Sequence, residues 1–568
     1  MFNKEFEKTM GLLLAIGVPA VSLFIVTGSV TDPVNVTKFL LLGAVGIAAL
    51  VTLLFKGSKN VWMTSRLAVI FSTCFIFFSG LSIMQSDSPI VQNLYGATGR
   101  NTGFLTYFFL IGILLGTVSL RTRRSLDLLF IGLIFTGFVN VVYCGWALLF
   151  GDFIGWNNPY GNILGLFGNP NFIGAFLGIW ISSTVGYVLT RKLKIWQWIA
   201  LALLMALALY EVQKTHAVQG VVVTAAGLAT VGFYLIRSKF KSWLPTAFYT
   251  VLVLVLGSFA LLGALQRGPL AEIVYKTSVS LRGVYWRAGI RTGIENPLTG
   301  AGMDAYGDWY RRSRGEYGAT VLPGPQTVTN SAHNVVLDIF SYGGFPLLAS
   351  YIGILALGAF AILRRLRRSK NYDPLFVALS VAWIGYQLQS IISINQIGLA
   401  VWGWALTGAL LAYDWLDKSS AESDEKTGAA GTNHQSRKNS TGVFSTQLIA
   451  GLGAVFGLIL SAPPISADMA WVKATKSGNL QEVEKSLIPT YLHPSTSERY
   501  ASAVEILHNS KLYELSHKYA LLGTKFNPEN FGAWFALYSV SESTPEEKAE
   551  AVKNMKRLDP YNKEIPTK

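Results

Sequence analysis

The sequence predicts an all-α fold: a polytopic membrane helix bundle of about twelve to thirteen transmembrane helices, with a long outer loop and a small soluble helical C-terminal domain. Three observations predict it. Hydrophobic residues make up 51% of the 568-residue chain and charged residues 14%, whereas soluble proteins carry about 25% charged residues. Apolar stretches of about 20 residues recur along the chain. Lys and Arg gather in the short loops at one end of these stretches.

Thirteen stretches are apolar enough to cross a bilayer as helices. The pair at 196–236 is interrupted by polar residues, and Cys74 and Cys144 lie inside apolar stretches, which predicts neither a disulfide nor a metal site. The thirteen stretches lie near 10–30, 36–55, 65–84, 103–120, 126–150, 170–190, 196–212, 217–236, 246–265, 334–363, 374–393, 397–415 and 443–462.

The basic loops predict the orientation. Every even-numbered span from two to ten is followed by Lys and Arg, as at Lys56 and at 364–370, whereas 151–169 contains neither. The positive-inside rule then places the N-terminus in the cytoplasm and the long loop outside. We expect the net charge of +15 to interact with anionic membrane lipids and not with nucleic acid.

The predicted domains follow from these spans. Residues 1–416 form the transmembrane domain, including a long outer loop at 266–333. Residues 417–442 are polar and rich in Ser and Gly, which predicts a disordered cytoplasmic linker. An additional span at 443–462 then exports a helical domain at 463–568.

The C-terminal domain has a repeat-like pattern. Its Asn527-Pro528 and Asp559-Pro560 turns lie 32 residues apart (528 to 560), near the roughly 34-residue period of a tetratricopeptide helix pair. A generic helical hairpin fits nearly as well. The domain is predicted either to dock a protein partner or to cap the membrane domain.

The outer loop carries the residues best suited to chemistry. Arg282, Trp286 and Arg287 are predicted to share one helix face, and two guanidinium groups there would clamp a phosphate. His333 ends the loop and suits general-base catalysis, although a structural or capping histidine remains an alternative. Positive charge is disfavoured outside, yet the loop also carries Arg267, Arg291, Arg311, Arg312 and Arg314.

Other outer segments add candidates. Arg100 lies at the outer mouth of span four, and Asn334 follows the loop histidine. Asn171 belongs to a Gly-Asn-Pro-Asn segment that mainly predicts a helix start. His216 and Gln219 open span eight from outside and could line a cavity.

The motifs, taken in their order along the chain, resemble those of the O-antigen ligase and polymerase superfamily. The resemblance covers roughly residues 10–415 and is most specific between Arg282 and Gly344. The matching motifs are Tyr95-Gly-x-x-x-Arg-x-x-Gly103, Gly168-Asn-Pro-Asn171, Arg282-x-x-x-Trp286, Asn296-Pro-Leu-x-Gly-x-Gly302, His333-Asn334 and Gly343-Gly344.

The resemblance implies a metal-independent, cofactor-free, inverting glycosyltransferase of the GT-C type in the inner membrane of a bacterium. It would take a glycan from an undecaprenyl-diphosphate-linked donor and join it to a glycan, lipid or protein hydroxyl. His333 would be the base, and Arg282 with Arg100 or Arg287 would bind the diphosphate. The possible supporting residues are His216, Gln219, Trp286, Asn334 and Asn171.

One segment of the sequence differs from the pattern of the superfamily, and this difference leaves several functions open. Ligases of this superfamily carry a Ser-Arg pair near the start of span eight, where this chain has Lys214-Thr-His-Ala-Val-Gln-Gly220. A ligase, a polymerase and a protein O-oligosaccharyltransferase therefore all remain possible. A non-enzymatic transporter of lipid diphosphates is a further alternative, although the polar residues gather at the outer surface and not at the bilayer midplane.

Overall fold

A computed structural model describes residues 3–155, 158, 161–269, 271–274, 277–427 and 444–566. Within these ranges every regular element is a helix, which confirms the all-α prediction. Helices satisfy every backbone polar group internally, which a bilayer demands of the segments that cross it. The first eleven are α1 (Lys4–Leu23), α2 (Asn35–Lys56), α3 (Ser58–Thr64), α4 (Arg66–Gln85), α5 (Ile90–Tyr95), α6 (Phe104–Val118), α7 (Arg123–Phe150), α8 (Pro170–Val188), α9 (Ile195–Lys214), α10 (Val218–Lys239) and α11 (Leu244–Ala264).

The outer loop is itself largely helical, and the C-terminal domain consists of short helices. The loop contains α12 (Ala271–Val274), α13 (Thr277–Glu295), α14 (Tyr306–Ser313) and α15 (Gly315–Thr320). The remaining helices are α16 (Val335–Arg368), α17 (Pro374–Ile392), α18 (Ile397–Thr427), α19 (Thr446–Ser477), α20 (Leu480–Leu487), α21 (Ser497–Asn509), α22 (Tyr513–Phe526), α23 (Phe531–Ser539) and α24 (Pro545–Leu558).

The predicted bundle of spans is confirmed. In the described residues, twelve helices are long and apolar enough to cross a membrane: α1, α2, α4, α7 to α11 and α16 to α19. The remaining predicted span, 103–120, corresponds to α6, which has only 15 residues. Phe109, Leu110 and Ile113 of α6 are completely buried, so this short helix lies at the centre of the bundle, surrounded by longer ones.

Small residues bring α19 against α2. A Cβ atom on Gly43 would collide with Ser461, and one on Gly457 would collide with the backbone of Gly43. Close approach over small residues is a common way for helices to associate where lipid removes the hydrophobic driving force. Because α19 runs on to Ser477, it continues as one helix past the predicted span end at 462 into the C-terminal domain.

The fully buried Lys38 has a structural explanation. Its Nζ donates to the carbonyl oxygens of Ser22 and Phe24, which lie where α1 ends and helical partners run out. Lys38 of α2 therefore serves as a capping group for α1 inside the bundle.

The basic loops lie together at one end of the bundle. Arg123 pairs with Asp373 at 2.7 Å, which joins the loops after spans four and ten. The guanidinium of Arg237, after span eight, donates to the carbonyl oxygen of Leu366. The loops that the positive-inside rule assigns to one side are thus neighbours in the structure.

The predicted linker at 417–442 begins inside a helix. Residues 417–427 complete α18 and are helical, not disordered, because Asp417 pairs with Arg365 at 3.1 Å and with Arg368 at 3.0 Å. These contacts attach the extended helix to the end of α16. The rest of the predicted linker, 428–442, lies outside the described residues.

Helix α16 is broken near its start, and the Gly-rich segment after α13 fits against the break. Gly343 and Gly344 have non-helical backbone angles. Ala301 N–H donates to the carbonyl oxygen of Ser341 at 2.8 Å, and Phe345 N–H donates to that of Pro297 at 2.8 Å. The Asn-Pro-Leu-x-Gly-x-Gly and Gly-Gly motifs are therefore two halves of one structural joint.

The C-terminal domain packs two successive helical hairpins, α21–α22 and α23–α24, around a core that includes Leu507, Trp534 and Met555. It lies against the outer loop, where Asn527 Nδ2 donates to Asp308 Oδ2 at 3.2 Å. The domain therefore caps the membrane domain, one of the two predicted alternatives. Its tetratricopeptide identity and a protein partner stay predictions.

Candidate functional site

His333 lies in a tightly fixed turn just before α16. Its backbone is left-handed, with φ of 55°, a conformation that persists in a non-glycine residue only when the surroundings enforce it. Its N–H donates to Ser331 Oγ at 3.0 Å. Ser331 Oγ and Ala332 N–H donate in turn to the two carboxylate oxygens of Asp338, at 2.8 and 2.6 Å. The first turn of α16 thus holds the histidine in place.

The imidazole of His333 is oriented as a base. Its Nδ1 lies 3.2 Å from the carbonyl oxygen of Ser331, and since a carbonyl only accepts, Nδ1 carries the proton and Nε2 keeps its lone pair. The ring centroid lies 5.3 Å from that of Tyr285. Burial, together with the positive charges of Arg100 and Arg282, lowers the pKa of His333 to about 4. The ring is therefore neutral at physiological pH.

Arg100 reaches the same site from the loop between α5 and α6. Asp304, completely buried in the outer loop, accepts from Ala97 N–H at 2.8 Å and from Thr102 Oγ1 at 2.9 Å. The guanidinium Nε of Arg100 donates to Asn330 Oδ1 at 2.8 Å. Burial lowers the pKa of Arg100 while Asp304 opposes that effect. Two distant segments therefore hold this cation beside the histidine turn.

Arg282 and Trp286 present unsatisfied donors on α13. Arg282 Nε and Trp286 Nε1 are buried and make no hydrogen bond within the described residues. Burial also lowers the pKa of the Arg282 guanidinium. A buried donor without an acceptor costs free energy, so both groups suit a ligand rich in acceptor oxygens.

Arg287 lies on a different side of α13. It is exposed, whereas Arg282 and Trp286 are partly buried, because a step of five residues turns about 140° around a helix. The one-face expectation holds for Arg282 and Trp286 and fails for Arg287. Its role in binding a diphosphate stays a prediction.

The two asparagine candidates lie at helix starts. Asn334 Oδ1 accepts from Leu337 N–H at 3.1 Å and caps α16. Asn171 follows Pro170 in the first turn of α8, and Asn169 is the cap there. The predicted helix start at Gly-Asn-Pro-Asn is confirmed, and both asparagines lie in structural positions.

The segment 214–220, where related ligases carry the Ser-Arg pair, has both exposed and buried side chains. Lys214 and His216 are exposed. Gln219 is 4% exposed, and neither its amide oxygen nor its amide nitrogen has a partner among the described residues. Of the three, Gln219 is the side chain that a polar ligand inside the bundle could satisfy.

Three of the outer arginines are structural. Arg314 pairs with Asp559 of the C-terminal domain at 2.7 Å, Arg311 shares the same carboxylate at 2.9 Å, and Arg312 pairs with Glu529. These ion pairs give the three arginines a structural role that the sequence analysis did not predict.

The site also contains residues that the sequence alone did not single out. Asp304 and Asp338 fix the two segments that bear Arg100 and His333, and Asn330 orients the arginine. Asp338 lies within the His333 motif, which is its only sequence signal. In the described part of the chain, no group of three or more His, Cys, Asp or Glu side chains is arranged to hold a metal ion.

The family described as O-antigen ligase matches residues 200–352. This part of the chain is similar to the O-antigen ligase family. The O-antigen ligase match runs from α9 into α16, so it includes Arg282 and His333 while Arg100 lies outside it. It supports the superfamily resemblance and a membrane function in joining or polymerising glycans. Among curated proteins, none matches the chain.

Proposed function

We propose that this protein is a membrane glycosyltransferase that moves a glycan from an undecaprenyl-diphosphate-linked donor to a hydroxyl acceptor at the outer face of the inner membrane. One observation carries the proposal: a neutral His333 with a free Nε2 lies in the field of Arg100 and Arg282. A base beside two cations suits a reaction in which an anionic group leaves as a hydroxyl attacks.

The proposed step balances as follows. The acceptor oxygen attacks the anomeric carbon of the donor sugar while His333 Nε2 takes the hydroxyl proton. The bond between the anomeric carbon and the diphosphate oxygen breaks, and its electron pair stays on the diphosphate. Arg282 and Arg100 stabilise the negative charge that develops there, and they do so best in a buried site.

The low pKa of His333 suggests an order of binding. A base with a pKa of about 4 is weak at neutral pH, because general-base catalysis works best when the pKa lies near the working pH. A diphosphate between the two arginines would offset their charges and raise the pKa of the imidazole. The donor then activates the base, and the acceptor follows.

The geometry also supports an outer location for the reaction. The outer loop contacts the C-terminal domain directly, so the two share one side of the membrane. The basic loops that contain Arg123 and Arg237 both contact the chain near the end of α16, at Asp373 and Leu366. The positive-inside rule assigns that end of the bundle to the cytoplasm.

The test replaces His333 with Ala in full-length protein in lipid nanodiscs, supplied with lipid-linked glycan from the native host. Loss of a positioned base lowers transfer by about 10²–10⁴-fold, and binding of undecaprenyl diphosphate should persist. The matched control is His508→Ala, at an exposed histidine of the C-terminal domain.

Two results would contradict the proposal. If the His333 variant transfers glycan at the rate of the unsubstituted protein, His333 is not the general base. Movement of the lipid diphosphate across the bilayer, with no glycan product from any acceptor hydroxyl, would favour the transporter. The identity of the product distinguishes the remaining alternatives, since a ligase, a polymerase and a protein O-oligosaccharyltransferase differ in the acceptor alone.

A further inference from the structure

Helix α14 separates the site from the C-terminal domain and contacts both. Tyr306 and Tyr310 are completely buried. The Tyr306 hydroxyl donates to the carbonyl oxygen of Tyr285 at 2.8 Å, and the ring centroid of Tyr310 lies 5.7 Å from that of Tyr285. Tyr285 in turn packs on His333. One set of α14 side chains is therefore continuous with the histidine site.

The charged side chains at the end of α14 face the C-terminal domain. Asp559 accepts from Arg311 at 2.9 Å and from Arg314 at 2.7 Å. The side chains of Asp559 and Arg314 are completely buried. The Arg311 guanidinium also lies 4.2 Å from the centroid of the Phe531 ring. The contact is therefore a buried charge cluster, in contrast to exposed pairs, which contribute little.

The same two arginines hold the segment that leads to His333. Arg314 donates to the carbonyl oxygen of Gly324 at 3.0 Å, and Arg311 donates to that of Pro325 at 2.9 Å. A few residues further on, Asn330 holds Arg100. Asp559 is thus connected, through these hydrogen bonds and the backbone of the loop, to His333 and Arg100.

A second junction ties the C-terminal domain to α14 through Asp308 near its start and Arg312 near its end. Asp308 accepts from Asn527 Nδ2 at 3.2 Å and from Ser88 Oγ at 2.8 Å. Glu529 pairs with Arg312 and, at 2.8 Å, with Arg557. The C-terminal domain therefore contacts α14 at both ends, through side chains that are mostly buried.

We propose that the C-terminal domain is a positioning part of the transfer site, with Asp559 as the positioning residue that acts through Arg311 and Arg314. The effect on transfer rests on the proposed function; the effect on the loop does not. Removal of the carboxylate charge leaves two arginines without their counter-ion, one of them fully buried. Segment 324–333 then loses its anchor, and His333 and Arg100 lose their alignment.

The experiment compares Asp559→Asn with unsubstituted full-length protein in nanodiscs. Amide hydrogen exchange over 324–333 should quicken by about tenfold or more, because a local opening then costs less free energy. The glycan transfer rate at saturating lipid-linked donor should fall by about tenfold or more, since small misplacements of reacting groups are costly. The control Glu505→Gln, at an exposed carboxylate of α21, should change neither quantity.

The outcomes separate this inference from the function on which it rests. Unchanged exchange over 324–333, or a normal transfer rate despite faster exchange, overturns the positioning role. If the unsubstituted protein transfers no glycan, the proposed function fails, and exchange alone then decides whether Asp559 controls the loop. If Asp559→Asn does not fold, Glu529→Gln at the second junction takes its place with the same two measurements.

Discussion

At the scale of single residues, the site depends on the charges that surround one imidazole. Burial is the main reason that the pKa of His333 falls to about 4, and Arg100 and Arg282 add to it by repelling the imidazolium. The neutral ring therefore persists down to about pH 4. Catalysis that needs the neutral form should be lost only as the pH falls through that value.

Replacing Arg282 with Gln should move this acidic limit upward. One fewer positive charge weakens the repulsion, so the pKa of His333 rises toward its ordinary value of about 6.5. The acidic limb of kcat/KM, which reports the free enzyme, should shift to higher pH while the plateau falls because diphosphate stabilisation is lost. The measurement is kcat/KM between about pH 3 and pH 8, so that the acidic limb of the unsubstituted protein lies within the range.

Arg291→Gln is the matched comparison for that profile, because Arg291 lies on the same helix but is exposed. Its acidic limb should coincide with that of the unsubstituted protein. An Arg282 variant whose limb stays in place would show that this guanidinium does not act on His333.

At the scale of elements, the joint between the Gly-rich segment and broken α16 sets the position of the site. Gly300 has φ of 65°, and a Cβ there would collide with the backbone of Tyr342 and Gly343. Asp304, which holds the Arg100 loop, follows four residues later. The joint therefore transmits its geometry directly to the candidate site.

Gly300→Ala should destabilise the protein by about 2 kcal/mol or more, since a left-handed conformation alone costs an alanine about 1–2 kcal/mol. A lower apparent Tm in detergent, with a lower transfer rate, is the expected result. Gly257→Ala is the control, because Gly257 lies in helical α11 with nothing within 4 Å of its added Cβ. Equal Tm values for the two variants would contradict the role of the joint.

The sequence predicts the elements better than it predicts the contacts between them. The apolar stretches near 36–55 and 374–393 correspond closely to α2 and α17, because hydropathy and length decide membrane helices. The pairing of Arg314 with Asp559, 245 residues apart, leaves no trace in composition or periodicity. For the same reason, the sequence singled out Arg100, Arg282 and His333 as candidates but not Asp304, whose contacts arise only when the outer segments fold together.

At the scale of the whole molecule, the orientation of the protein in the membrane decides whether the candidate site can reach a donor at the outer face. The contacts place the outer loop and C-terminal domain together, whereas the compartment itself follows from the charge of the loops at the other end. Thr320, at the end of α15, is exposed on the outer loop, and Lys192 is exposed in the basic loop after α8. Neither native cysteine is fully exposed: Cys144 is buried and Cys74 partly so.

A cysteine at each of these two positions therefore reports the orientation directly. In intact inner-membrane spheroplasts, a membrane-impermeant maleimide should label Thr320→Cys, and Lys192→Cys should react only after the membrane is opened. The physical reason is that Lys and Arg near span ends resist translocation, which keeps the basic loops in the cytoplasm. The reverse pattern would place His333 on the cytoplasmic side, where a donor displayed at the outer face could not reach it, and the proposed reaction would then be untenable.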